Sequence, residues 1–415
     1  MIEEEFLARK FHYYYSKNFV KEPPNIERRE FGFGEFGKKI SQRHFAFKNL
    51  ADFNNFLRDE VPFYASCSPA HYEFPSVPDM QKKHLLGSDL IWEFDSDDFK
   101  TPCAEEHTLW KCPKCGLGGK GRLQYCTACG ERTVFDEWSC PECLNAVKKQ
   151  TLQLVEWLQD DFGFGKGLSV NFSGSKGFHV HLRSQEIFSL PQSGRVELLN
   201  YLTGFDLNLE ALGFLSETGG HYSSIPLNKA KGWQEKLLSK LFSFLQGADA
   251  LQLHSFSNLR EKEASKLLLE SRESILQELK NGRLFKFGKK SKQFWQLLLE
   301  HFVEGQKLFI DRQTSIDLVK IVRVPETLHG GTGLLAKKIQ LEGLKAFDAL
   351  SETIVFSSNP VKVFAEKTPK FFLKGNWFGP FEQQEIELPE FAAVFLLARK
   401  SAKLKARGKG EKDEA

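Results

Sequence analysis

Three carboxylates, those of Glu93, Asp95 and Asp97, lie at two-residue intervals in the segment DLIWEFDSDDF. If residues 90–96 form a strand, its period of two places all three acids on one face and apolar side chains on the other. Clustered anions repel one another, and a divalent cation would relieve that repulsion. Hard oxygen ligands suit magnesium or manganese. The alternative is a strand end that runs into a solvated acidic turn.

Seven of the eight cysteines lie between residues 103 and 143, which favours metal binding over disulfides in a chain whose start shows no export signal. Two CxxC pairs joined by a glycine-rich linker have the spacing of a zinc ribbon. This inner set is Cys112, Cys115, Cys126 and Cys129. The outer set, which predicts a second zinc site nested around the first, is Cys103, His107, Cys140 and Cys143. Both ions would have four protein ligands and are expected to be structural; the alternatives are reduced cysteines without metal, or another ligand in place of His107.

A glycine turn between two strand-like runs could hold a phosphate, in the segment GLSVNFSGSKGFHVHL. Small residues at Gly174 and Gly177 let backbone amides approach an anion, and Lys176 adds a positive charge. His179 and His181 follow on one face of the second strand. Each histidine either contacts a phosphate or is a core histidine with satisfied hydrogen bonds. A glycine turn in a hairpin is common, so the turn alone is weak evidence.

Another carboxylate occurs late in the chain. Lys307–Ile310 is predicted as a strand, and Asp311 follows it directly. Arg323 and His329 lie downstream in VKIVRVPETLHGGTG. One segment therefore supplies an acid and two groups suited to phosphate binding.

The elements that must position these groups alternate between strands and helices. Ser139–Phe162 is predicted as a helix whose first turn carries Cys140 and Cys143, so zinc would hold its start. Long patterns rich in Leu, Lys and Glu predict a helical subdomain from about Arg195 to Lys307. Pro389–Arg399 is predicted as a closing helix.

The predicted fold is an α/β core of α+β type, with mixed sheets flanked by helices and with inserted zinc-ribbon and helical parts. In chain order the predicted parts are the first part of the core at 1–102, the zinc-binding module at 103–143, the core with the glycine hairpin at 144–190, the helical subdomain at 191–306, the end of the core at 307–399 and a charged, disordered tail at 400–415.

The composition is that of a globular protein with room for two or three domains in 415 residues. The formal charge of +3 is nearly neutral, so contact with nucleic acid requires local patches. The basic run KFGKKSK at residues 286–292 could form such a patch, although a solvated face is the better explanation of it. No apolar run reaches the length of a membrane helix. We therefore expect no membrane association and a cytoplasmic location, or a nuclear one in a eukaryote.

Four segments, taken in order, resemble the small catalytic subunit of archaeal and eukaryotic DNA primase. They are DLIWEFDSDDF, the cysteine segment ending in WSCPECLNAVKKQTLQLVEWLQDDFGF, the hairpin SGSKGFHVHL and the segment IDRQTSIDLVKIVRVPETLHGGTG. The resemblance runs from near the N-terminus to about Gly333, and more loosely to the end. The cysteine segment with its inserted ribbon resembles archaeal members more than eukaryotic ones.

The resemblance implies a primase catalytic core that makes short primers from nucleoside triphosphates by two-metal nucleotidyl transfer. Magnesium or manganese would be held by Glu93, Asp95 and Asp311, and structural zinc by the outer set. The implied nucleotide-binding residues are Ser173, Gly174, Lys176, His179, Arg323 and His329. The implied partners are a larger regulatory subunit in a heterodimer, a single-stranded DNA template with its primer, and nucleoside triphosphates. A protein with these partners is expected to associate with the nucleoid.

The acid pair departs from the family pattern. The family usually has Asp-x-Asp after two apolar residues, and that frame falls on Glu93 and Asp95 here. The other register, Asp95 with Asp97, stays open. Glutamate is one methylene longer than aspartate, so a metal bound by Glu93 must shift or the strand must be set back.

Two further departures lie in the segment after the third acid. The family's His and Arg fall on Val319 and Lys320, and its HGKTG is HGGTG here, with Gly331 in place of lysine. One basic contact to the nucleotide is therefore missing or comes from elsewhere. Two other functions stay open: a primase-polymerase acting in DNA repair or replication restart, and a zinc-ribbon nucleic-acid-binding subunit whose catalytic site has decayed.

Overall fold

The computed structural model describes residues 2–99 and 101–405, which divide into two compact units. The first unit contains the described residues up to Val155, Gly165–Arg195, and those from Phe309 onward. The second unit contains Glu156–Phe164 and Val196–Leu308. The mixed α/β class predicted from the sequence is confirmed. The predicted boundaries of the individual parts stay predictions.

Helices and strands alternate along the described residues. The α-helices span Ile2–Lys17, Leu50–Glu60, Ala104–His107, Pro141–Asp160, Gln185–Phe188, Gln192–Thr203, Trp233–Gly247, Ala250–Ser255, Glu261–Lys280, Ser291–Gln306, Arg312–Ile316, Ala349–Glu352 and Glu390–Ala398. The strands span Phe31–Glu35, Lys38–Phe45, Tyr64–Cys67, Ala70–Tyr72, Leu85–Ser88, Leu90–Asp95, Thr108–Lys111, Gly118–Lys120, Val134–Glu137, Leu168–Phe172, Gly177–Leu182, Glu217–Thr218, His221–Ser223, Arg283–Leu284, Val322–Arg323, Lys338–Ile339, Pro360–Thr368, Phe371–Leu373, Asn376–Phe378, Phe381–Pro389 and Ala402–Leu404.

A four-stranded antiparallel sheet of the first unit carries the acidic segment. Its strand order is Lys338–Ile339, Leu168–Phe172, Gly177–Leu182 and Leu90–Asp95. The apolar residues of the acidic strand are buried, which fixes its register because a slip by one residue would bury the acids instead. The glycine hairpin predicted from the sequence joins the two central strands.

A second four-stranded sheet places the segment that carries Arg323. Its order is Val322–Arg323, Tyr64–Cys67, Phe31–Glu35 and Lys38–Phe45. Phenylalanine rings pack on one side of it, for example Phe33 against Phe56 with ring centroids 4.4 Å apart. This packing accounts for part of the high phenylalanine content of the chain, which has 39 phenylalanines. We infer no function from that content.

The cysteine segment forms its own three-stranded sheet, followed by a long helix. The strands Gly118–Lys120, Thr108–Lys111 and Val134–Glu137 pair in that order. The helix spans Pro141–Asp160, two residues shorter at each end than predicted. Pro141 opens the first turn, where its missing N–H costs no helical hydrogen bond.

Two sequence predictions fail in the last quarter or so of the chain, at residues 307–310 and 400–405. Lys307–Ile310, predicted as a strand, forms none, although Asp311 still directly precedes a short helix. The predicted tail starts too early, because Ala402–Leu404 pairs with the strand Pro360–Thr368 beside the buried helix Glu390–Ala398. The rest of the predicted tail, 406–415, lies outside the described residues.

The second unit consists mainly of helices around a buried tryptophan and leucine core that includes Trp233 and Trp295. Its basic run is paired with acids: Lys290 Nζ lies 2.7 Å from Glu263, and Lys292 Nζ lies 3.5 Å from Glu210. These pairs favour a solvated face for the run. Among the described helices, none combines the length and the apolar character that a membrane crossing requires.

Candidate active site

Five acids of the first unit line one cavity of about 450 Å3. Its wall is formed by Glu93, Asp95, Asp97, Asp98 and residues 309–312. The structure therefore brings together all four of the acids singled out from the sequence, including the distant Asp311. Phe309 and Phe99 pack edge to face at 5.8 Å and form the apolar part of the surroundings.

Glu93 and Asp311 are joined at both main chain and side chain. The Asp311 N–H donates to the Glu93 carbonyl oxygen at 3.1 Å. The Thr314 hydroxyl lies 2.7 Å from Glu93 Oε2 and 2.5 Å from Asp311 Oδ2. Lys320 Nζ donates to the same two oxygens, at 3.2 and 3.1 Å. The two carboxylates thus face each other across a hydroxyl and an ammonium group.

Asp97 leaves the face that carries the other two acids, so the prediction of three acids on one strand face is wrong. The strand ends at Asp95, and the chain turns through a short 3-10 segment, Ser96–Asp98. At the start of this segment the Ser96 N–H donates to the Lys176 carbonyl oxygen at 3.0 Å. The Asp97 carboxylate forms an ion pair with the Lys176 side chain.

The three acids nearest the sheet differ in how readily they ionise. Burial raises the pKa of Asp95, and the neighbouring charge of Glu93 raises it further. Burial also opposes ionisation of Glu93, but His179, Lys320 and the Thr314 hydroxyl outweigh it and lower the pKa of Glu93. The pKa of Asp311 is lowered in the same way, because Thr314 and Lys320 outweigh its burial. A divalent cation would stabilise the ionised form of all three carboxylates.

The glycine turn packs against the HGGTG segment. The Ser173 hydroxyl oxygen accepts hydrogen bonds from the N–H groups of Ser175 and Gly177, at 3.3 and 3.1 Å. Gly174 has a φ of +81°, and a Cβ there would lie 2.8 Å from the Cβ of His329. Only glycine fits this left-handed turn at such close approach. The two segments predicted to bind phosphate are therefore neighbours.

Arg323 has unused hydrogen-bonding capacity. Its Nε and Nη1 atoms are buried, and neither has a hydrogen-bond partner among the described residues. Its guanidinium group lies 4.9 Å from the centre of the Tyr64 ring. Burial lowers its pKa to about 10, so it still carries a positive charge at neutral pH. A buried donor without a partner is costly, and an anionic ligand would satisfy it.

The two histidines of the hairpin strand have different surroundings. His179 lies opposite Glu93 in the sheet, with its Nε2 3.5 Å from Glu93 Oε1, and its buried Nδ1 has no described partner. His181 Nε2 lies 2.8 Å from the Asn171 side-chain oxygen. His181 is therefore a core histidine with a satisfied hydrogen bond, whereas His179 faces the acids.

Both predicted cysteine sets converge. Within each set the ligand atoms all lie within 4.8 Å of one another. Cys103 and Cys143 sulfurs are 3.4 Å apart in the outer set, where His107 Nε2 lies 3.3 Å from Cys143. A tetrahedral ion with zinc–sulfur bonds of about 2.3 Å separates its sulfurs by about 3.8 Å. Both sets thus fit a zinc ion without rearrangement of the backbone.

The comparison with known proteins agrees with these observations. A family model described as DNA primase small subunit matches residues 136–341. The DNA primase small subunit PriS of Methanothrix thermoacetophila is 30% identical over 414 residues, which cover 95% of this chain and 97% of the relative. The chain belongs to the DNA primase small subunit family. Two further PriS proteins also match. That of Methanococcoides burtonii is 27% identical, with 96% of this chain and 97% of the relative covered. That of Cenarchaeum symbiosum is 28% identical, with 95% of this chain and 96% of the relative covered.

Gly331, the position where this chain departs from the family's HGKTG, lies beside Tyr64 and His329. A Cβ there would lie 3.0 Å from the Tyr64 hydroxyl and 3.2 Å from His329 Cε1. Burial lowers the pKa of His329 well below its usual value, and the charges of Arg323 and Lys39 lower it further. Lys39 is thus a nearby cation that the sequence pattern missed, since its strand carries no motif.

The outer cysteine set is tied to the acidic turn. The Ser96 hydroxyl lies 3.0 Å from the Ser139 hydroxyl, which directly precedes Cys140. The Thr101 hydroxyl lies 3.2 Å from the Cys143 sulfur. The segment from Ser96 to Thr101 therefore contacts Cys143 of the outer set and the residue before Cys140.

Sequence reasoning missed two groups at the centre of the site. Thr314 lies in the first turn of the helix that Asp311 caps. Its position three residues after an acid is the only feature of the sequence that could have indicated it. Lys320 was noted only as a departure from the family pattern. Both reach Glu93 through a contact between segments more than two hundred residues apart, which no local pattern contains.

Proposed function

We propose that this chain is the catalytic subunit of a DNA primase and makes short primers on single-stranded DNA from nucleoside triphosphates. The observation that carries the proposal is the convergence of Glu93, Asp95 and Asp311 in one cavity. Membership of the DNA primase small subunit family supports it, because relatives over nearly the whole length have that name. Template and primer would be held through backbone contacts without sequence readout.

The three acids would hold two magnesium or manganese ions, with Asp97 as the alternative ligand. Their chemistry fits such ions, since they offer only oxygen atoms and the charge of Glu93 opposes ionisation of Asp95. When bound, the ions would activate a primer hydroxyl and neutralise charge on the triphosphate during in-line attack. Glu93 and Asp311 would keep their spacing through their shared main-chain hydrogen bond.

The triphosphate would be bound by the glycine turn and the arginine beside it. The backbone of Ser173 and Gly174 and the charge of Lys176 would contact the phosphates from one segment. The buried nitrogens of Arg323, which have no described partner, would donate from the other. His179 and His329 complete the proposed nucleotide-binding group. His179 lies 3.5 Å from Glu93, so the groups proposed for phosphate and for metal adjoin each other.

Two structural zinc ions are proposed for the two cysteine sets, since the ligand atoms of each set lie within 4.8 Å of one another. We further propose a heterodimer with a larger regulatory subunit, and action at the nucleoid in the cytoplasm. These partners follow from the family and not from a surface of this chain.

Primer synthesis by the purified protein tests the proposed function. The protein is incubated with single-stranded DNA, nucleoside triphosphates and Mn²⁺, and labelled products are separated by length. We expect short primers from the wild type and none from Asp95→Ala, whose zinc content and melting curve should stay normal. A protein that binds DNA and makes no product would be a decayed subunit. Extension of a supplied primer without initiation would favour the polymerase acting in repair or restart.

A further inference from the structure

Lys320 lies where a cation bridging two of the proposed metal ligands would lie. Its ammonium donates to Glu93 Oε2 at 3.2 Å and to Asp311 Oδ2 at 3.1 Å, and it also contacts the Thr314 hydroxyl. The lysine belongs to a segment distant in sequence from Glu93. Its side chain is about one-third exposed, so it can leave this position towards solvent without disturbing the core.

The charge of Lys320 explains how the two carboxylates stay close. The Thr314 hydroxyl lies within hydrogen-bonding distance of one oxygen from each acid, yet it has a single hydrogen to donate. The oxygen that does not receive this hydrogen would be repelled by the hydroxyl oxygen. A positive charge beside both acids removes that repulsion, and Lys320 supplies it.

The ammonium and a divalent ion cannot share these two oxygens. A magnesium ion bound to both would lie about 2.1 Å from each. The ammonium already lies just over 3 Å from each of the same oxygens, with its own charge directed at them. Both the volume and the like charge of Lys320 therefore oppose an ion that bridges Glu93 and Asp311.

We propose that Lys320 is the resident cation of the Glu93–Asp311 pair and competes with one of the two catalytic ions. This ion then binds fully only when a bound triphosphate gives the ammonium group another anion to pair with. The inference rests on the proposed function. It adds a positioning role for Lys320 and an order of binding, in which nucleotide promotes metal loading. The flexible stem of lysine suits such a movement.

The neighbourhood of Lys320 supports a movement towards the nucleotide. The charge of Lys320 acts on His179, which belongs to the proposed phosphate-binding group. The charge of Arg323 acts on the same histidine, and the buried Nε and Nη1 atoms of Arg323 have no hydrogen-bond partner among the described residues, so they could donate to an added anion. A triphosphate bound there would place negative charge within reach of the lysine.

The test measures Mn²⁺ affinity of the zinc-loaded protein by calorimetry, with and without a non-hydrolysable nucleoside triphosphate analogue. We expect Lys320→Met to bind Mn²⁺ about tenfold more tightly than wild type without nucleotide, a change of about 1.4 kcal/mol. The analogue should strengthen Mn²⁺ binding in the wild type and do so much less in Lys320→Met. Lys320→Arg, which keeps the charge, should behave like wild type.

Lys337→Met is the matched control, because Lys337 is 33% exposed against 32% for Lys320 and pairs with one acid, Glu352, that does not belong to the proposed metal site. Unchanged or weaker Mn²⁺ binding by a folded Lys320→Met would overturn the inference. Asp311→Asn separates this failure from failure of the proposed function. If Asp311→Asn loses Mn²⁺ binding, the proposed metal site stands whatever Lys320→Met shows; if it binds Mn²⁺ like wild type, the proposed site itself is wrong.

Discussion

The main-chain N–H of Asp311 donates a hydrogen bond to the main-chain carbonyl oxygen of Glu93, at 3.1 Å. This bond joins the end of an acidic strand to the start of a short helix that lies far away in the sequence. Because it involves only the backbone, it fixes the distance between the two main-chain positions from which the carboxylates extend. The spacing of the proposed metal site is thus set by the fold.

The choice between Glu93 and Asp97 as metal ligand gives the first prediction. Glu93 shares a hydrogen-bonded hydroxyl, that of Thr314, with Asp311, whereas Asp97 is paired with Lys176 in the turn. We expect Glu93→Gln to lower the rate of primer synthesis at least about a hundredfold, because a metal ligand supplies several kcal/mol. Asp97→Asn should lower it about tenfold or less. Loss of activity in Asp97→Asn alone would instead assign the ligand pair to Asp95 and Asp97.

Removal of the two cysteine sets should have unequal effects. The outer set anchors the turn after Asp95 through Ser139 and Thr101, and the inner set makes no such contact among the described residues. We expect the double variant Cys140→Ser, Cys143→Ser to lose one zinc ion and to weaken Mn²⁺ binding. The matched variant, Cys112→Ser with Cys115→Ser, should lose one zinc ion and keep its Mn²⁺ affinity.

Elemental analysis and Mn²⁺ titration of the two cysteine variants check this prediction. Melting curves show whether the rest of the fold survives. Equal loss of Mn²⁺ binding in both variants would mean that the anchoring contacts are unimportant. A full complement of zinc in either variant would show that its set does not bind the ion.

Nucleotide binding should weaken in mildly alkaline solution because of Lys176. Burial lowers the pKa of Lys176 to about 8, against about 10.4 for an ordinary lysine. The charged form is the one that binds phosphate, so its share falls as pH rises through about 8. We expect the dissociation constant for a triphosphate analogue to rise over that range.

The control for the alkaline effect is Lys176→Arg, since arginine keeps its charge to a pKa above about 12. Its dissociation constant should stay nearly level over the same pH range. A parallel rise in wild type and Lys176→Arg would assign the pH dependence to another group.

Asp89, which precedes the acidic strand, should stabilise the fold in a pH-dependent way. Its carboxylate is buried and lies 2.7 Å from Arg29 and 3.5 Å from His71. Burial opposes its ionisation, but hydrogen bonds and charge from these two residues outweigh burial and hold the pKa of Asp89 well below its usual range. The contribution is therefore present above the unfolded pKa of about 3.9 and is lost as pH falls towards the folded pKa.

Denaturant unfolding of Asp89→Asn measures that contribution. We expect the free energy of unfolding at neutral pH to fall by about 3 kcal/mol, since Arg29 is left buried without its counter-ion. The gap to wild type should narrow below about pH 4. Asp59→Asn, on an exposed helix face, should change the stability little at any pH. A gap that stays constant down to low pH would contradict the assigned role.

Local patterns predicted the parts of this site, and long-range contacts decided how the parts meet. Alternation of apolar and acidic residues correctly predicted the strand that carries Glu93 and Asp95. Cysteine spacing correctly predicted which residues converge in each set, because each set contains a CxxC pair, which is a local unit. The departure of Asp97 was not predictable, since the strand ends where its partner strand ends in the hairpin.

The interior of the site depends on contacts that no short segment reveals. Thr314 and Lys320 reach Glu93 only because the Asp311 segment lies beside the acidic strand. The sequence placed a strand before Asp311, whereas the structure holds that residue through one backbone bond to Glu93. Apolar patterning signals burial, but it does not distinguish a paired strand from an extended segment.

The most direct test of the proposed metal site compares two aspartates that both cap the N-terminus of a short helix. Asp311 and Asp348 each cap a short helix, accepting from a main-chain N–H at 2.9 and 3.1 Å. Asparagine caps a helix about as well as aspartate, so Asp→Asn at either position keeps the cap and removes only the charge.

The decisive measurement is the rate of primer synthesis by Asp311→Asn and Asp348→Asn, with Mn²⁺ on single-stranded DNA. We predict that Asp311→Asn falls at least about a hundredfold below wild type, with melting temperature and zinc content unchanged, while Asp348→Asn keeps wild-type activity. Primer synthesis by Asp311→Asn at the wild-type rate would contradict the assignment of Asp311 to the catalytic metal site.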